Sequence, residues 1–314
     1  MKNTIIKGIF VIASCALLIA IGIIIGVNIK QESREPVIAA VGDKTWTLGE
    51  SEQKPLIEEN YWNFIYASYI LVGTPPDCEY YKIVSEVERH DYDVENFYID
   101  DDSDKMYYHD EEGARLTSIA IDISAFQSSI DWAQVKAAGV DTVMIRVGYR
   151  GYGSGKIVLD DMFESHVQGA LEEGLHVGVY FFSQALNYDE GVEEANFVLN
   201  AIRDYNITCP VAIDTEFLDA SDARTNGLDI DSRTDSIVGF CETVKAAGYI
   251  PMIYSNRNWY VQSLDMSRLG DYKLWLAHYT NQPDFPYKYV GWQYTDQGTL
   301  SGVEGSVDFN VWFK

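Results

Sequence analysis

From Ser118 onward the chain alternates between short apolar runs and longer stretches with helical periodicity. The runs "IAIDIS", "TVMIRVG", "HVGVYFF", "PVAIDTE" and "IPMIYSN" read as buried strands. Between them lie "DWAQVKAAG", "DDMFESHVQGALEEG", "DEGVEEANFVLNAIRDY" and "SRTDSIVGFCETVKAAG", which read as helices, three of them ending in Gly. Ser and Asp in "SIDWAQV" and "DSRTDSIV" supply helix starts. Strand–helix–strand repetition predicts a parallel sheet with right-handed crossovers. After Asn256 the rhythm shortens, and "KLWLAHY", "YVGWQYT" and "SVDFNVW" read as strands with no room for long helices between them. The pattern predicts an α/β fold with five β/α units and three further strands.

The alternation within each run shows which side faces what. Ile119, Ile121 and Ile123 share one face, and Ala120 and Asp122 the other. Val143, Ile145 and Val147 oppose Met144 and Arg146; Val177, Val179 and Phe181 oppose Gly178, Tyr180 and Phe182. Val211 and Ile213 oppose Ala212, Asp214 and Glu216. One face is branched and apolar, suited to lie under helices. The other is small at the strand start and polar at its end, as the inside of a closed barrel requires. The expected architecture is an irregular (β/α) barrel over residues 118–314.

The N-terminus has another character. Lys2 and Lys7 precede an uncharged apolar run from Gly8 to Val27. That length matches the roughly 20 residues a membrane-spanning helix needs, and exceeds the h-region of about 7–15 in a cleavable signal. Residues 1–7 are therefore expected on the cytoplasmic side, 8–27 as a membrane anchor, and the remainder outside, although Lys30 and Arg34 weaken the charge asymmetry. "IASC" also resembles a lipobox around Cys15, but the apolar run continues well beyond it. Residues 28–117 read as an extracytoplasmic stalk with a small β element. Within it "EENYWNFIYASYILVG" fits a short helix or a strand pair, "TPPD" a turn, and "NFYIDDDSDKMYYHD" a hairpin of two aromatic strands.

Composition narrows the partners. The 314 residues are 47% hydrophobic and 13% aromatic, enough for a large core. Asp and Glu number 48 against 23 Lys and Arg, a formal charge of −25, which repels nucleic-acid backbones and anionic lipid surfaces. Cys15, Cys78, Cys209 and Cys241 are scattered without ligand spacing, and Cys209 and Cys241 read as either paired or free. No phosphate loop, Ser/His/Asp order or metal cluster stands out, and no cofactor is expected. His166 and His278 read as surface or packing residues.

Inward positions near the strand ends carry the candidate chemistry. They are Asp122, Arg146, Tyr180, Asp214, Glu216, Tyr254, Trp275, Tyr279, Gln293 and Asp308, with Trp292 beside them. Asp214 and Glu216, two apart in "CPVAIDTEFLD", point to one side of their strand. Four carboxylates with one nearby Arg cannot ionise independently, and a carboxyl kept protonated near neutral pH can serve as a general acid. Aromatic rings around paired carboxylates suit a sugar-cleaving cleft. Taken alone, the DxE pair could equally ligate a hard cation, and a lone strand-end Asp could be a helix cap.

The segment "IAIDISAFQSSIDWAQVKAAGVDTVMIRVGYRGYG" resembles the opening of glycoside hydrolase family 25, the Chalaropsis-type lysozymes. "VGVYFFSQA", "PVAIDTE", "MIYSN", "LWLAHY", "GWQY" and "SVDFN" follow in that family's order. The resemblance implies a barrel of five β/α units plus three strands, and N-acetylmuramidase activity on the β-1,4 bond between N-acetylmuramic acid and N-acetylglucosamine of peptidoglycan. It implies Glu216 as general acid/base, Asp214 assisting the reaction centre, and Asp122 and Asp308 as the other two rim acids. Either a carboxylate or the substrate's own N-acetyl group would act as nucleophile. Thr215, where bulkier residues are common, and Ser128, where Gly is usual, depart from the family pattern. Arg146, Tyr180, Tyr254, Trp275, Tyr279, Trp292 and Gln293 are the expected substrate-binding residues. A membrane-tethered wall-remodelling enzyme is the leading expectation. A non-catalytic glycan-binding barrel and a related glycosidase such as a chitinase are the alternatives.

Overall fold

Eight strands close into a barrel in a computed structural model of the chain, which describes residues 37–41, 44–48, 65–74, 77–101 and 103–314. The barrel strands are β7 (Thr117–Ile123), β8 (Val140–Arg150), β10 (His176–Phe182), β11 (Val211–Asp214), β12 (Pro251–Asn256), β13 (Lys273–Ala277), β14 (Gly291–Gly298) and β15 (Val307–Phe313). Their order around the barrel is β7-β8-β10-β11-β12-β13-β14-β15, with β15 returning to β7. All neighbours from β7 to β14 run parallel, and β15 alone runs antiparallel to both its partners. The short strand β9 (Ile157–Leu159) pairs antiparallel with the end of β8, an addition the periodicity did not reveal.

Helices α1 (Trp132–Ala137), α2 (Phe163–Glu172), α3 (Tyr188–Ile202), α4 (Ile230–Ala246) and α5 (Arg257–Ser263) each follow a parallel strand, giving the five expected β/α units. Asp131 caps α1 by accepting from Gln134 N, while α4 starts one residue before the predicted signal, capped by Asp229. Gly139, Gly174 and Gly248 follow α1, α2 and α4 at positive φ, the left-handed turn that satisfies helix-end carbonyls. Helices α3 and α4 cross almost in contact: a Cβ on Gly191 would lie 1.9 Å from Ser236 O, and one on Gly239 2.3 Å from Tyr188 O.

Two apolar layers result. The outward residues of the strands, Ile121, Val143, Val179, Ile213 and Ile253 among them, are buried beneath the helices. Inside the barrel a smaller core of Ala120, Met144, Ala212, Met252, Trp275 and Trp312 closes the bottom, as the alternation predicted. Cys209 and Cys241 are both free thiols.

The compact unit containing the barrel begins at Tyr69 rather than at residue 118. It includes the hairpin of β3 (Tyr69–Thr74) and β4 (Asp77–Lys82) and a second of β5 (Phe97–Asp100) and β6 (Lys105–Tyr108), the latter matching the predicted "NFYIDDDSDKMYYHD" hairpin. Phe97 lies 4.8 Å from Trp292 between ring centres, and Tyr92 stacks on Phe313 at 4.1 Å. This stretch therefore covers the outer face of β14 and β15. The region Met1–Ser68 forms a separate unit, in which β1 (Val37–Val41) and β2 (Lys44–Leu48) make an antiparallel hairpin. The anchor expected at 8–27 lies outside the described residues, and no described helix is long and apolar enough to cross a membrane.

Candidate active site

The C-terminal ends of the parallel strands open onto a cleft of about 630 Å³. Asp122, Arg146, Tyr180, Asp214, Glu216, Tyr254, Trp275, Gln293 and Asp308 all line it, so nine of the eleven predicted residues converge there. β15 reaches this rim with its beginning rather than its end, because it runs the opposite way. Asp308, second in that strand, therefore pairs in register with Asp122, second from the end of β7.

Asp122 is held at the bottom. Gln293 Nε2 donates to both of its oxygens (3.2 and 3.0 Å), and Asn310 Nδ2 donates to Oδ2 at 2.8 Å. Those two amides are oriented in turn. Tyr254 and Tyr279 hydroxyls donate to Gln293 Oε1 at 2.8 and 3.0 Å, and Trp275 Nε1 donates to Asn310 Oδ1 at 2.6 Å. Burial pushes the Asp122 carboxyl well above the usual range, and the neighbouring Asp308 adds to the rise. Asp308 is itself raised, mainly by burial.

The second pair sits on and just beyond β11. Asp214 is 5% exposed, and its Oδ1 is buried without a hydrogen-bond partner. Burial and then the charge of Glu216 push it well above its ordinary value. Glu216, half-buried at the mouth, is also raised, first by burial, with the hydrogen bond from Asp214 opposing and Asp308 reinforcing. Two close carboxyls of this kind share a proton.

Arg146 is the cation lining the cleft, yet it is committed elsewhere: its Nε bonds Asp160 Oδ2 at 2.7 Å, and its guanidinium lies over the Phe126 and Tyr149 rings. It therefore does not neutralise either carboxyl pair outright. Tyr180 and Tyr254, half-buried among acids, have their hydroxyls raised well above the usual value, first by desolvation, and remain neutral donors.

Two predicted residues lie elsewhere. Trp292 is fully buried on the outer face of β14, with Nε1 donating to His278 O; it belongs to the packing under β5. Its neighbour Gln293 occupies the inward position, as strand alternation demands. Tyr279, 56% exposed, lines an adjoining cavity of about 500 Å³ that shares Glu216 and Tyr254 with the main cleft. His278 lines that cavity too, whereas His166 is buried against Trp132 as a packing residue. Residues the sequence reading did not single out are Asn310, Asp160, Tyr149 and Phe126, the last 83% exposed at the cleft edge. Asn310 carried a signal, since it follows Asp308 by two in "DFN" and so shares its face. Tyr149 near the end of β8 pairs with β9, Asp160 directly follows β9, and Phe126 stands in the loop after β7, so their places rest on the β9 addition and on that loop.

Paired carboxyls at a barrel rim, edged by aromatic rings and hydroxyl donors, form the layout of a glycosidase-class barrel. Residues 121–303, more than half of the chain, match the family described as glycosyl hydrolases family 25, and the chain belongs to that family. It is 30% identical over 191 residues to the autolytic lysozyme of Clostridium acetobutylicum, covering 60% of this chain and 54% of that one. To lysozyme M1 of Streptomyces globisporus it is 29% identical over 202 residues, covering 60% and 66%. Among solved structures it resembles the modular autolysin LytC of Streptococcus pneumoniae with a TM-score of 0.56 at 25% identity, covering 77% of this chain and 58% of that one. LytC has also been solved in complex with a synthetic peptidoglycan ligand. The chain thus spans little more than half the length of the first of these relatives.

Proposed function

We propose that this protein is a peptidoglycan N-acetylmuramidase, cleaving the β-1,4 bond from N-acetylmuramic acid to N-acetylglucosamine. The observation that carries the proposal is the Asp214–Glu216 pair, one carboxyl buried and one at the mouth where two cavities meet. Family membership and the lysozyme relatives support the choice of substrate.

The pair suggests how the acid is charged. In the free protein Asp214 and Glu216 share a proton. An acetamido N–H donating to the orphan Oδ1 of Asp214 favours that carboxylate, and the shared proton passes to Glu216. Glu216 then protonates the glycosidic oxygen as the C–O bond breaks. Positive charge develops on the sugar while Asp214 holds the acetamido group. Water completes the hydrolysis and returns a proton to Glu216. Asp122, fixed by Gln293 and Asn310, pairs with Asp308, and whichever of the two is ionised adds negative charge at the rim.

The test is mass spectrometry of purified peptidoglycan after incubation with the full chain and with Glu216→Gln. Fragments ending in reducing N-acetylmuramic acid, absent with the variant, are expected. Intact strands that co-sediment with the protein would replace the proposal with a glycan-binding scaffold, and cleavage of chitin in preference to peptidoglycan would replace it with a chitinase.

The same proposal places the enzyme on the outer side of a bacterial membrane, held by residues 8–27 for local wall remodelling. Its support is the uncharged run from Gly8 to Val27 behind Lys2 and Lys7. Membrane fractionation of the full chain against one lacking residues 1–30 tests it. Equal recovery in the soluble fraction would discard the anchor.

A further inference from the structure

Glu216 stands at the junction of two cavities. Arg146, Asp122 and Asp308 line the first; the second takes in Tyr279, His278, Asn258 and Asp284, and one side of it is formed by Leu71 and Gly73 of β3. That strand lies outside residues 121–303, the segment that matches the family model. It is nevertheless tied to the barrel. Arg257, 8% exposed at the start of α5, donates through Nη2 to Leu71 O at 2.8 Å and to Asp284 Oδ2 at 2.6 Å. The wall is thus a fixed part of the catalytic face.

The second cavity carries unspent polar capacity. His278 Nδ1 is buried without a hydrogen-bond partner, with an Asp284 oxygen 3.6 Å away, and the Asp284 side chain is largely open to solvent. Tyr279 presents an exposed ring at the junction, its hydroxyl fixed on Gln293. Its volume of about 500 Å³ lies inside the range of about 300–1,000 Å³ typical of small-ligand sites. A ring face flanked by hydrogen-bonding groups suits a pyranose bearing an N-acetyl group. Moreover, a linear polymer crossing the acid in one cavity must continue into the other.

Building on the muramidase reading, we propose that β3 completes a subsite for a further N-acetylhexosamine unit of the glycan strand, beyond the pair flanking the cleaved bond. The hairpin packed before the barrel then sets a preference for longer strands. Binding energy gained at this remote unit is available to the reaction centre, so longer substrates gain in kcat/KM.

The experiment compares kcat/KM of the full chain on stem-peptide-free oligomers of alternating N-acetylglucosamine and N-acetylmuramic acid, four and eight sugars long. The wild type should favour the longer one roughly tenfold, the equivalent of one good contact set. Leu71→Trp, which fills the cavity, and Asn258→Ala, a milder truncation, should reduce that ratio toward one, with unchanged melting temperatures establishing that both fold. An equal ratio in wild type and both variants would overturn the subsite. So would a length preference that appears only when stem peptides are attached, since the cavity would then take peptide. Failure of the wild type to cleave either oligomer would instead overturn the muramidase reading itself.

Discussion

Asp122 and Asp308 face each other across the antiparallel seam between β7 and β15, one of the two seams that the reversed strand β15 makes in the barrel. The reversal lets the start of one strand meet the end of another, so two acids far apart in sequence form a pair. Asp308 also raises Glu216 through its charge. Asp308→Asn removes that charge and makes ionising Glu216 easier. The alkaline limb of the kcat/KM profile, where Glu216 loses its proton, should move to lower pH. An unmoved limb in a pH series would separate Asp308 from the acid.

Glu216→Gln and Asp214→Asn should part company. Losing the proton donor should cost roughly 10³-fold or more in kcat, whereas Asp214→Asn should cost about 10²-fold, since the amide keeps the shape but not the charge. Steady-state rates on purified peptidoglycan decide between them.

Stability should run the other way. Asp214 is raised well above the unfolded value, so folding favours its protonated form. Its contribution is complete at low pH and is lost as pH climbs from the ordinary carboxylate range toward the folded value. Asp214→Asn removes the buried ionisation and should melt a few degrees above wild type at pH 7.5, with the gap closing at pH 4. A lower melting point at pH 7.5 would contradict this account. The site thus trades stability for activity.

Behind the cleft, Arg150 bonds Glu194 at 2.7 Å with both side chains buried, and Ser183 donates to the same carboxylate at 2.6 Å. Burial pushes Glu194 up to about 7 even with these partners. Arg150→Met strips the cation from a buried acid and should cost about 3 kcal/mol. The loss should be larger at pH 8 than at pH 6, because only above about 7 does the wild-type carboxylate draw its full benefit from the guanidinium. Denaturant melts at the two pH values measure both quantities.

The boundary of the folded unit is testable by truncation. A chain starting at residue 69 retains Phe97 on Trp292 and Tyr92 on Phe313; one starting at 118 bares both aromatic faces. The shorter chain should bind a hydrophobic dye and melt at lower temperature. Identical melts would mean the hairpins add nothing to the barrel.

Strand alternation carried much of this in advance. It separated Ile121 from Asp122 and Ile213 from Asp214, and so gathered the rim acids without any knowledge of β15's direction. It put Gln293 inward, and Trp292, one position before it, falls on the outer face, because a step of one residue changes the face. The hairpins before the barrel were harder. Tyr92 and Phe97 pack on Phe313 and Trp292, about 200 residues away, and no local pattern in an acid-rich stretch announces such distant partners. Loop residues such as Phe126 and Asp160 are set by tertiary geometry, which a repeat of two or 3.6 does not encode.

The lone reversed strand also fixes an order of events. β15 is the last barrel strand to leave the ribosome, and it brings Asp308 and Asn310 with it. Until it arrives, β7 and β14 are open edges and Asp122 lacks one of the two amides that hold it. A nascent chain therefore cannot assemble its rim before residues 307–313 have been made, and synthesis of the earlier strands and catalytic competence are separated by the closing of the two seams of β15.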